Sequence, residues 1–425
     1  MKRKNDVFIF GLAIFAMFFG AGNLIFPPEI GVVTGKEWLM SSAGFFITGI
    51  CLPVGGLIAF SRVGSTDNFA NKVSKNFNTL YFSLLILAIG PMLAIPRTAA
   101  TAYEMGIVPN FGDINPLIVS IVYFVIVYML VIKPSQLLNN IGKYMTPIIL
   151  IILSMVIVKG IFSGFGVPGE KTIIQNSFSY GFFGGYQTMD AIASVIFGSV
   201  IVESLKGNGY TNDREQSSMI IKSGIIAAIG LALVYGGLLY LGAMANGNNL
   251  NLSKAELVMY LAKNSLGSFG VMAFGICAIV ACLTTSIALV ATVANFFAAK
   301  TKFSYKSIAI VTCVISSILG ATGLGFIIDI AVPILIILYP VTIILIILNI
   351  LKIKNTRVFK VSVSIGLVFS IFEVLAGFHI SPLLTDIFNS LPMASEGFAW
   401  LAPTLIGSVA AAIISNEPKA VVKTN

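Results

Sequence analysis

The sequence predicts an all-α integral membrane protein, and three observations support that fold class. Only 10% of the 425 residues are charged and 57% are hydrophobic, whereas a soluble protein has about 25% charged residues. The chain contains about 12 apolar runs that are each long enough to cross a bilayer as a helix. Lysine and arginine residues concentrate in alternate loops between these runs. Most of the chain must therefore be solvated by lipid or by neighbouring helices.

The apolar runs are continuous, which favours helices over a transmembrane β-barrel. A helix needs about 20 apolar residues to span the hydrocarbon core, whereas a barrel strand alternates apolar and polar positions over about ten residues. Several of the runs contain an internal proline or glycine. The predicted transmembrane helices, numbered 1 to 12 in chain order, cover 8–31, 41–61, 78–103, 116–132, 144–162, 179–203, 219–243, 267–299, 307–324, 328–351, 361–378 and 397–415.

The positively charged residues predict how this bundle is oriented. With the N-terminus in the cytoplasm, 20 lysines and arginines lie on the inside and 5 lie in outside loops. Cytoplasmic loops carry the excess of these residues in membrane proteins, so this division predicts an even number of spans with both termini in the cytoplasm. The segment after Lys4 has no small-residue cleavage site and is interpreted as the first span, not as a removed signal.

The composition also excludes several classes of function. The formal net charge is +9, but no basic patch with interleaved aromatic residues occurs, so no nucleic-acid partner is expected. An enzyme is not expected, because the sequence has one histidine, no HExxH motif and no clustered carboxylates, and so offers few groups for acid–base or metal chemistry. A Walker motif is absent, which excludes a primary pump, and a channel would favour pore-lining rings from an oligomer. The cysteines lie in apolar stretches without metal-site spacing: Cys51, Cys277, Cys282 and Cys313.

Predicted helices 1 and 6 each carry a glycine-rich interruption near mid-depth. The interruptions cover residues 20–29 and 181–190, and the corresponding points Gly20 and Gly184 lie 164 residues, or five helices, apart. Because five is an odd number, a repeat with this spacing must be inverted in the membrane. The predicted domains are a first repeat at 8–162, a second repeat at 179–351 and peripheral helices at 361–415.

Broken helices at membrane depth predict a binding site. Unwound backbone is tolerated there only where it lines a polar cavity, because lipid cannot satisfy its amide and carbonyl groups. The N-terminus of a half-helix attracts an anion, and the free carbonyls attract a cation. A zwitterionic amino acid suits both. In the alternative interpretation, the glycines only permit close helix packing and the prolines only kink ordinary helices.

Helix 8 contains three consecutive hydroxyl residues at membrane depth, Thr284, Thr285 and Ser286. Such hydroxyls commonly bond back to the preceding turn of their own helix. Alternatively, two of them and the carbonyl of Ala281 could offer oxygen ligands to a hard cation, completed by carbonyls of the broken helix 1.

Three motifs make the chain similar to a known family. Gly20–Pro28 reads GAGNLIFPP, Gly90–Thr98 reads GPMLAIPRT and Gly185–Asp190 reads GYQTMD. Together they resemble the bacterial branched-chain amino acid carriers, often called BrnQ carriers, and the resemblance covers essentially the whole chain. It implies the five-plus-five inverted-repeat fold of the amino acid, polyamine and cation transporters. It also implies a location in the inner (cytoplasmic) membrane of a bacterial cell.

The resemblance implies a secondary active symporter that imports leucine, isoleucine or valine with sodium by alternating access. A proton-coupled carrier of the same substrates, or a carrier of another apolar amino acid, is the alternative. The middle of helix 5, Pro147–Ile157, contains no ionisable residue, which argues against the lysine that proton-coupled relatives can place near the cation site. The expected partners are the amino acid and the lipid bilayer, and a monomer is sufficient.

The resemblance also implies which residues form the sites. Substrate is expected on helices 1, 3 and 6 at Gly20, Ala21, Gly22, Asn23, Leu24, Arg97, Phe183, Gly184, Gly185, Tyr186, Gln187 and Thr188. Sodium is expected between helices 1 and 8 at Ala16, Phe19, Ala281, Thr284 and Thr285. This helix 1 lacks the arginine that gates some relatives just beyond the break, so the gate residues of those relatives cannot be transferred to this chain.

Ionisable residues inside the predicted spans are expected to have partners, because an isolated charge in the bilayer is costly. Arg97 is expected either to hold the substrate carboxylate or to pair with an acid such as Asp329 or Glu29; a purely structural ion pair is the alternative. Asp190 follows the break in helix 6 and is expected to cap the second half-helix. Glu373 lies in helix 11, beyond the ten-helix core, and is expected to be structural.

Overall fold

The structure is a computed structural model that describes residues 2–132, 136–162, 165–172, 174, 176–246 and 252–414. All regular secondary structure within these residues is helical, which confirms the all-α prediction. The first half contains α1 (Lys2–Phe18), α2 (Ala21–Thr34), α3 (Trp38–Phe46), α4 (Leu52–Val63), α5 (Thr66–Phe69), α6 (Lys75–Leu87), α7 (Ala94–Thr101), α8 (Val108–Phe111), α9 (Pro116–Ile132) and α10 (Gln136–Phe162).

The second half follows the same pattern of long helices with short connections. It contains α11 (Ser177–Tyr186), α12 (Asp190–Gly207), α13 (Asp213–Met244), α14 (Lys254–Lys300), α15 (Tyr305–Gly320), α16 (Leu324–Ile350), α17 (Thr356–Gly377), α18 (Pro382–Asn389) and α19 (Leu401–Ile414). π-helical turns connect α3 to α4 at Ile47–Cys51, α6 to α7 at Ala88–Met92, and α7 to α8 at Ala102–Ile107.

The helices agree with a multi-pass membrane protein in length and apolarity. Among the described residues, 7 helical segments are long and apolar enough to cross a membrane: Ala21–Val63, Lys75–Phe111, Ser177–Gly207, Asp213–Met244, Lys254–Lys300, Leu324–Ile350 and Thr356–Gly377. Shorter apolar helices cover Asp6–Phe18, Pro116–Ile132, Pro147–Phe162, Tyr305–Gly320 and Leu401–Ile414. Each predicted apolar run therefore contains helix, whereas the number of membrane crossings stays a prediction.

The two helix breaks are shorter than the glycine-rich segments that predicted them. Only Phe19 and Gly20 separate α1 from α2, and only residues 187–189 separate α11 from α12. Gly22 and Gly185 lie inside the half-helices. The break after α11 contains Met189 with a φ of 64°, a left-handed conformation that stops the helix. The position of each break is confirmed, but Gly22 and the three glycines of the second segment, Gly181, Gly184 and Gly185, are helical.

Helix α14 begins earlier than the predicted helix 8. It starts at Lys254, whereas the sequence predicts helix 8 from residue 267. Gly267 has φ and ψ of 64° and −152°, which is not helical and which a residue without a Cβ adopts readily. Residues 254–266 therefore form a separate helical arm before the long apolar part of α14.

The broken helices pack at the centre of the bundle. Helix α13 packs along both halves of the first break, against α1 and α2, while α3 packs on α11 and α4 packs on α12. Helices α17 and α19 pack on each other, and α17 also packs on α16. The two breaks are consequently enclosed by other helices, and α17 and α19 lie at the side.

Loops from different parts of the chain meet at two ends of the bundle. At the end here called the Glu29 end, Glu29 Oε1 lies 2.8 Å from Lys254 Nζ. At the opposite end, called the Asp6 end, the hydroxyl of Tyr210 donates to Asp6 Oδ2 at 2.8 Å. Loops that the charge distribution predicts on one side of the membrane thus contact one another.

Candidate functional site

Asn23 joins the two breaks. It lies in the first turn of α2 with only 1% of its surface exposed. Its Oδ1 accepts a hydrogen bond from the Gly20 backbone at 3.1 Å, and its Nδ2 donates to Asp190 Oδ2 at 2.6 Å and to the hydroxyl of Tyr235. One buried carboxamide therefore connects the start of α2, the start of α12 and the middle of α13.

Asp190 is the first residue of α12 and is buried. The prediction that its side chain caps α12 is wrong, because Met189 occupies the N-cap position and the Asp190 carboxylate bonds Asn23 instead of a helix N–H. The carboxylate nevertheless lies at a helix N-terminus, where the helix dipole stabilises negative charge. The Asp190 backbone N–H donates to Thr188 Oγ1 at 3.3 Å within the break.

Arg97 binds the carbonyls that the second break leaves free. It is buried on α7, and its guanidinium donates to the Gln187 carbonyl and, at 3.3 Å, to the Thr188 carbonyl. The expected pairing with Glu29 is wrong, since Glu29 pairs with Lys254. The expected pairing with Asp329 is wrong as well, because no salt bridge joins it to Arg97 within the described part of the chain. Helix ends leave carbonyls without intrahelical partners, and here a cationic side chain supplies the donors.

The two breaks share a small cavity of about 40 Å³. A buried water needs roughly 10–15 Å³, so the cavity has space for a few waters but not for a leucine. Its lining combines residues of both breaks with residues from α7 and α14: Met17, Phe18, Gly20, Ala21, Gly22, Asn23, Ile89, Ala94, Arg97, Thr98, Thr188, Met189, Asp190, Ala193, Phe197, Thr285 and Leu289. We call it the central cavity.

The three hydroxyls of α14 have three different surroundings. Thr284 Oγ1 donates to the Ala281 carbonyl at 2.9 Å, which is the ordinary back-bond of a helical threonine. Thr285 lines the central cavity, and its Oγ1 lies 3.4 Å from the point where a Cβ on Gly20 would be. Ser286 bonds Thr98 and, at 3.0 Å, Tyr123. Of the three, Thr285 is the hydroxyl directed at the first break.

Of the expected cation ligands on helix 1, Ala16 lies just before this break and Phe19 lies within it. The Phe19 N–H still donates to the Phe15 carbonyl at 2.8 Å, whereas the Gly20 N–H donates to Asn23. The Gly20 amide thereby leaves the helical pattern, in which it would donate to the Ala16 carbonyl. Among the described residues, no group of three or more His, Cys, Asp or Glu could hold a metal ion. Ligation of sodium by Ala16, Phe19, Ala281, Thr284 and Thr285 stays a prediction.

Several predicted substrate residues lie outside the central cavity. A Cβ on Gly185 would overlap Thr48 Oγ1, and a Cβ on Gly184 would lie 2.5 Å from Ile30 Cδ1. These two glycines therefore allow close helix packing. Leu24 is a buried core residue. Four residues of the predicted set instead line a second cavity of about 590 Å³ at the Glu29 end, which we call the side cavity: Phe183, Gly184, Tyr186 and Gln187.

Sequence reasoning missed the partners supplied by other helices. Tyr235 on α13 is fully buried and bonds Asn23. Tyr339 on α16 stacks on Tyr186 with ring centroids 3.9 Å apart. The only signal in the sequence is a phenol within a long apolar helix, which is also typical of an ordinary core tyrosine.

Comparison with known proteins identifies the family. Residues 3–418 match the family model described as branched-chain amino acid transport protein. The chain belongs to this family. It is 36% identical over 419 residues to the branched-chain amino acid permease BraB of Bacillus subtilis, covering 95% of this chain and 94% of that protein. It is 33% identical over 417 residues to the branched-chain amino acid transport system 2 carrier protein of Pseudomonas aeruginosa, covering 96% and 95%.

These relatives are permeases and carriers, so the chain is a transport protein of the membrane and not an enzyme. Solved structures show the same fold. Mhp1, a nucleobase-cation-symport-1 family transporter, matches with a TM-score of 0.63 at 11% identity, covering 96% of this chain and 93% of that chain. MhsT in complex with L-phenylalanine matches with a TM-score of 0.59 at 16% identity, covering 95% and 98%. The fold is therefore that of known membrane transporters.

Proposed function

We propose that this chain imports leucine, isoleucine or valine together with sodium across the bacterial cytoplasmic membrane by alternating access. The observation that carries the proposal is the meeting of both broken helices at the central cavity, where Asn23 bonds Asp190 at 2.6 Å. The family supplies the branched-chain amino acid as substrate class. The resemblance in sequence supplies sodium as the coupling ion.

The central cavity offers groups for both charged ends of an amino acid. The N-terminus of α2 presents backbone N–H groups at Ala21 and Gly22, which suit a carboxylate. The carbonyls of Gln187 and Thr188 suit an ammonium group, and Arg97 occupies them now. When substrate binds, the ammonium replaces the guanidinium on these carbonyls, and Arg97 turns to the carboxylate. The cavity has to widen to admit the aliphatic side chain.

Sodium binds in this proposal between α1 and α14, with Thr284, Thr285 and the carbonyls of Ala16, Phe19 and Ala281. The orientation of Thr285 towards Gly20 supports the site, because hydroxyl and carbonyl oxygens are ligands of hard cations. One inward elementary charge at about 100 mV supplies roughly 2.3 kcal/mol, enough for an approximately 50-fold accumulation. One cation per substrate is therefore sufficient.

A proton is the second candidate for the coupling ion, and Asp190 is the observation that favours it. Its carboxylate is buried and lines the central cavity. Protonation would remove a negative charge from the junction that Asn23 makes between the two breaks. Leucine uptake measured with either a sodium gradient or a proton gradient distinguishes the two candidate ions.

The proposal includes an inverted repeat of 8–162 and 179–351, with 361–415 peripheral. The packing of the helices supports this repeat. Helix α13, in the second half, packs on the broken helix of the first half, and α3 and α4, in the first half, pack on the broken helix of the second half. Helices that correspond after a shift of five spans thus make corresponding contacts. A monomer contains both halves, and both termini lie in the cytoplasm.

Uptake into proteoliposomes tests the proposal. Radiolabelled leucine should accumulate with sodium outside and should not accumulate with choline, and unlabelled isoleucine and valine should compete. Glutamate serves as a control solute of different charge. Accumulation of glutamate without leucine would contradict the substrate class. Accumulation of leucine that follows a proton gradient and ignores sodium would contradict the ion alone.

A further inference from the structure

Basic residues from two separate parts of the chain meet at the Asp6 end. One part is the connection from α4 to α6, and the other is the connection from α16 to α17 together with the start of α17. The hydroxyl of Ser61, near the end of α4, lies 3.4 Å from the hydroxyl of Ser217 on α13, which places the first connection at the Asp6 end. We call these residues the basic cluster: Arg62, Lys72, Lys75, Lys352, Lys354, Arg357 and Lys360.

Two members of the basic cluster hold the connections together. Helix α16 ends at Ile350, and the last carbonyls of a helix lack intrahelical partners and carry partial negative charge. The Arg62 guanidinium donates to the Ile350 carbonyl, and Lys72 Nζ donates to the Ile353 carbonyl at 2.6 Å. Lys72 Nζ also lies 4.6 Å from the centroid of the Phe359 ring on α17. The cations of both connections therefore lie on one surface.

The basic cluster has almost no acidic residues around it in the sequence. Residues 349–372 contain no Asp or Glu, and the one acid within 62–80, Asp67, lies 3.5 Å from Lys300 of α14. The members that do not hold the connections together are exposed and form no salt bridge within the part of the chain that the structure describes: Lys75, Lys352, Lys354, Arg357 and Lys360.

The connection from α12 to α13 at the same end has a different charge pattern. It carries Lys206 and Arg214 together with Glu203, Asp213 and Glu215, so both signs are interspersed. The excess of lysine and arginine in cytoplasmic loops explains basic residues in both places. It does not explain why acids are missing from the basic cluster. The cluster therefore has an unbalanced positive charge, which suits an anion.

The start of α17 adds a helix dipole to this charge. Helix α17 begins at Thr356, and Arg357 and Lys360 lie in its first two turns, with no acidic residue in the first turn. Because the N-terminus of a helix is the positive end of its dipole, cations at this position are unfavourable. An anion relieves the repulsion of both side chains, and the helix N-terminus itself attracts it.

Apolar surface follows along the helices that leave the basic cluster. Helix α17 is long and apolar enough to cross a membrane, and its Val368 is 61% exposed. On α6, Leu80 and Leu84 are 58% and 46% exposed. Long basic side chains at the ends of such helices reach the interface in which lipid headgroups lie. The cluster thus combines a site for an anionic group with surfaces for apolar chains.

We propose that the basic cluster binds the headgroup of an anionic glycerophospholipid in the cytoplasmic leaflet. The lipid phosphate lies at the first turn of α17 between Arg357 and Lys360, with Lys352 and Lys354 beside it. The acyl chains pack against the apolar faces of α6 and α17. A free phosphate ion would leave these faces unused, and so would a nucleic acid. The inference goes beyond the proposed function, because this ligand is part of the membrane and is not carried across it.

Binding of radiolabelled dioleoyl phosphatidylglycerol to the full chain, purified in detergent and immobilised, tests the site. The wild type should bind this lipid more tightly than zwitterionic dioleoyl phosphatidylcholine. Arg357→Gln combined with Lys360→Gln should weaken phosphatidylglycerol binding by about 25-fold, since each basic residue contributes about fivefold near an anionic lipid. Phosphatidylcholine binding should not change. Lys352→Gln combined with Lys354→Gln alters the connection outside any helix and should also weaken phosphatidylglycerol binding.

Lys206→Gln combined with Arg214→Gln is the matched control, because it removes two exposed cations of the connection from α12 to α13. This variant should bind phosphatidylglycerol as the wild type does. An equal loss in the control would show a general attraction to surface charge and would overturn the site. Equal binding of both lipids to the wild type, or unchanged binding in both cluster variants, would overturn it too. Displacement of the lipid by excess inorganic phosphate would assign the cluster to a free anion and overturn the lipid as its occupant.

Discussion

At the scale of single residues, the side chain of Asn23 connects α2, α12 and α13 through three hydrogen bonds. Its carboxamide uses the acceptor and both donors in one buried junction, with Gly20, Asp190 and Tyr235. Asparagine has these groups in a fixed planar arrangement. Aspartate in its place would oppose the Asp190 carboxylate, and an apolar residue would leave that carboxylate without its closest partner.

We expect Asn23→Leu to destabilise the protein and abolish uptake. An unsatisfied buried group costs about 1–3 kcal/mol, and more if it is charged. The melting temperature of the purified variant should therefore fall below that of the wild type. Asn264→Leu changes an exposed asparagine on the arm of α14 and is the control. Equal melting temperatures and equal uptake for the Asn23 variant and wild type would show that the junction is dispensable.

Arg97→Lys should reduce leucine uptake by about tenfold or more, which corresponds to about 1.4 kcal/mol. Lysine keeps the charge but lacks the planar fork that, in the proposed bound state, holds the substrate carboxylate with two parallel hydrogen bonds. The control is Arg62→Lys, because Arg62 donates to a backbone carbonyl at the Asp6 end. Wild-type uptake in the Arg97 variant at equal abundance would contradict the role given to the guanidinium.

Thr285→Ala should raise the sodium concentration for half-maximal uptake by about tenfold, or about 1.4 kcal/mol. Leucine affinity at saturating sodium should change little. Thr292→Ala is the matched control, because Thr292 lies two turns further along α14 and its hydroxyl makes the ordinary back-bond to the Ala288 carbonyl. An unaltered sodium dependence in the Thr285 variant would remove this hydroxyl from the cation site.

At the scale of elements, the glycines of the two broken helices have different roles. A Cβ on Gly22 would lie 2.9 Å from the Arg97 guanidinium, in the site itself. A Cβ on Gly185 would overlap Thr48, whose hydroxyl donates to the Phe182 carbonyl at 2.8 Å. Gly22 therefore leaves room for the Arg97 guanidinium in the central cavity. Gly185 allows α11 to approach the π-helical turn between α3 and α4.

Gly185→Ala should accordingly lower the amount of folded protein in the membrane. Overpacking of this kind costs about 1–3 kcal/mol. Adding Thr48→Ala removes the hydroxyl that is overlapped and should partly restore abundance. Size-exclusion profiles of the single and double variants measure this. If Gly185→Ala is as abundant as the wild type, α11 can move away from the turn without losing stability. If the double variant is no more abundant than the single variant, the overlap with Thr48 is not the cause of the loss.

The positions of the helices and their breaks could be predicted from the sequence, because they depend on local composition. A glycine pair at mid-depth identifies the break near Gly20 wherever the helix packs. The sequence could not predict that Asp190 bonds Asn23, since the two residues are 167 positions apart and the contact depends on tertiary packing. The side cavity was missed for the same reason: Glu373 reaches it only because α17 packs on α16.

At the scale of the whole molecule, the bundle joins two broken helices at one buried point and encloses them with others. If one half of the bundle moves relative to the other, the hydrogen bonds from Asn23 to Asp190 and Tyr235 either break or hold these residues together during the movement. The arm before Gly267 pairs with Glu29 through Lys254 and therefore lies over the Glu29 end of the first broken helix.

The charge that moves with leucine is the most direct measurement of sodium coupling at the two broken helices. Proteoliposomes adsorbed on a solid-supported membrane report the current that follows a jump in leucine concentration at equal pH on both sides. We expect an inward positive current in sodium, none in choline, and none in sodium when glutamate replaces leucine. A leucine current of the same size in choline would contradict sodium coupling at the meeting point of the two broken helices.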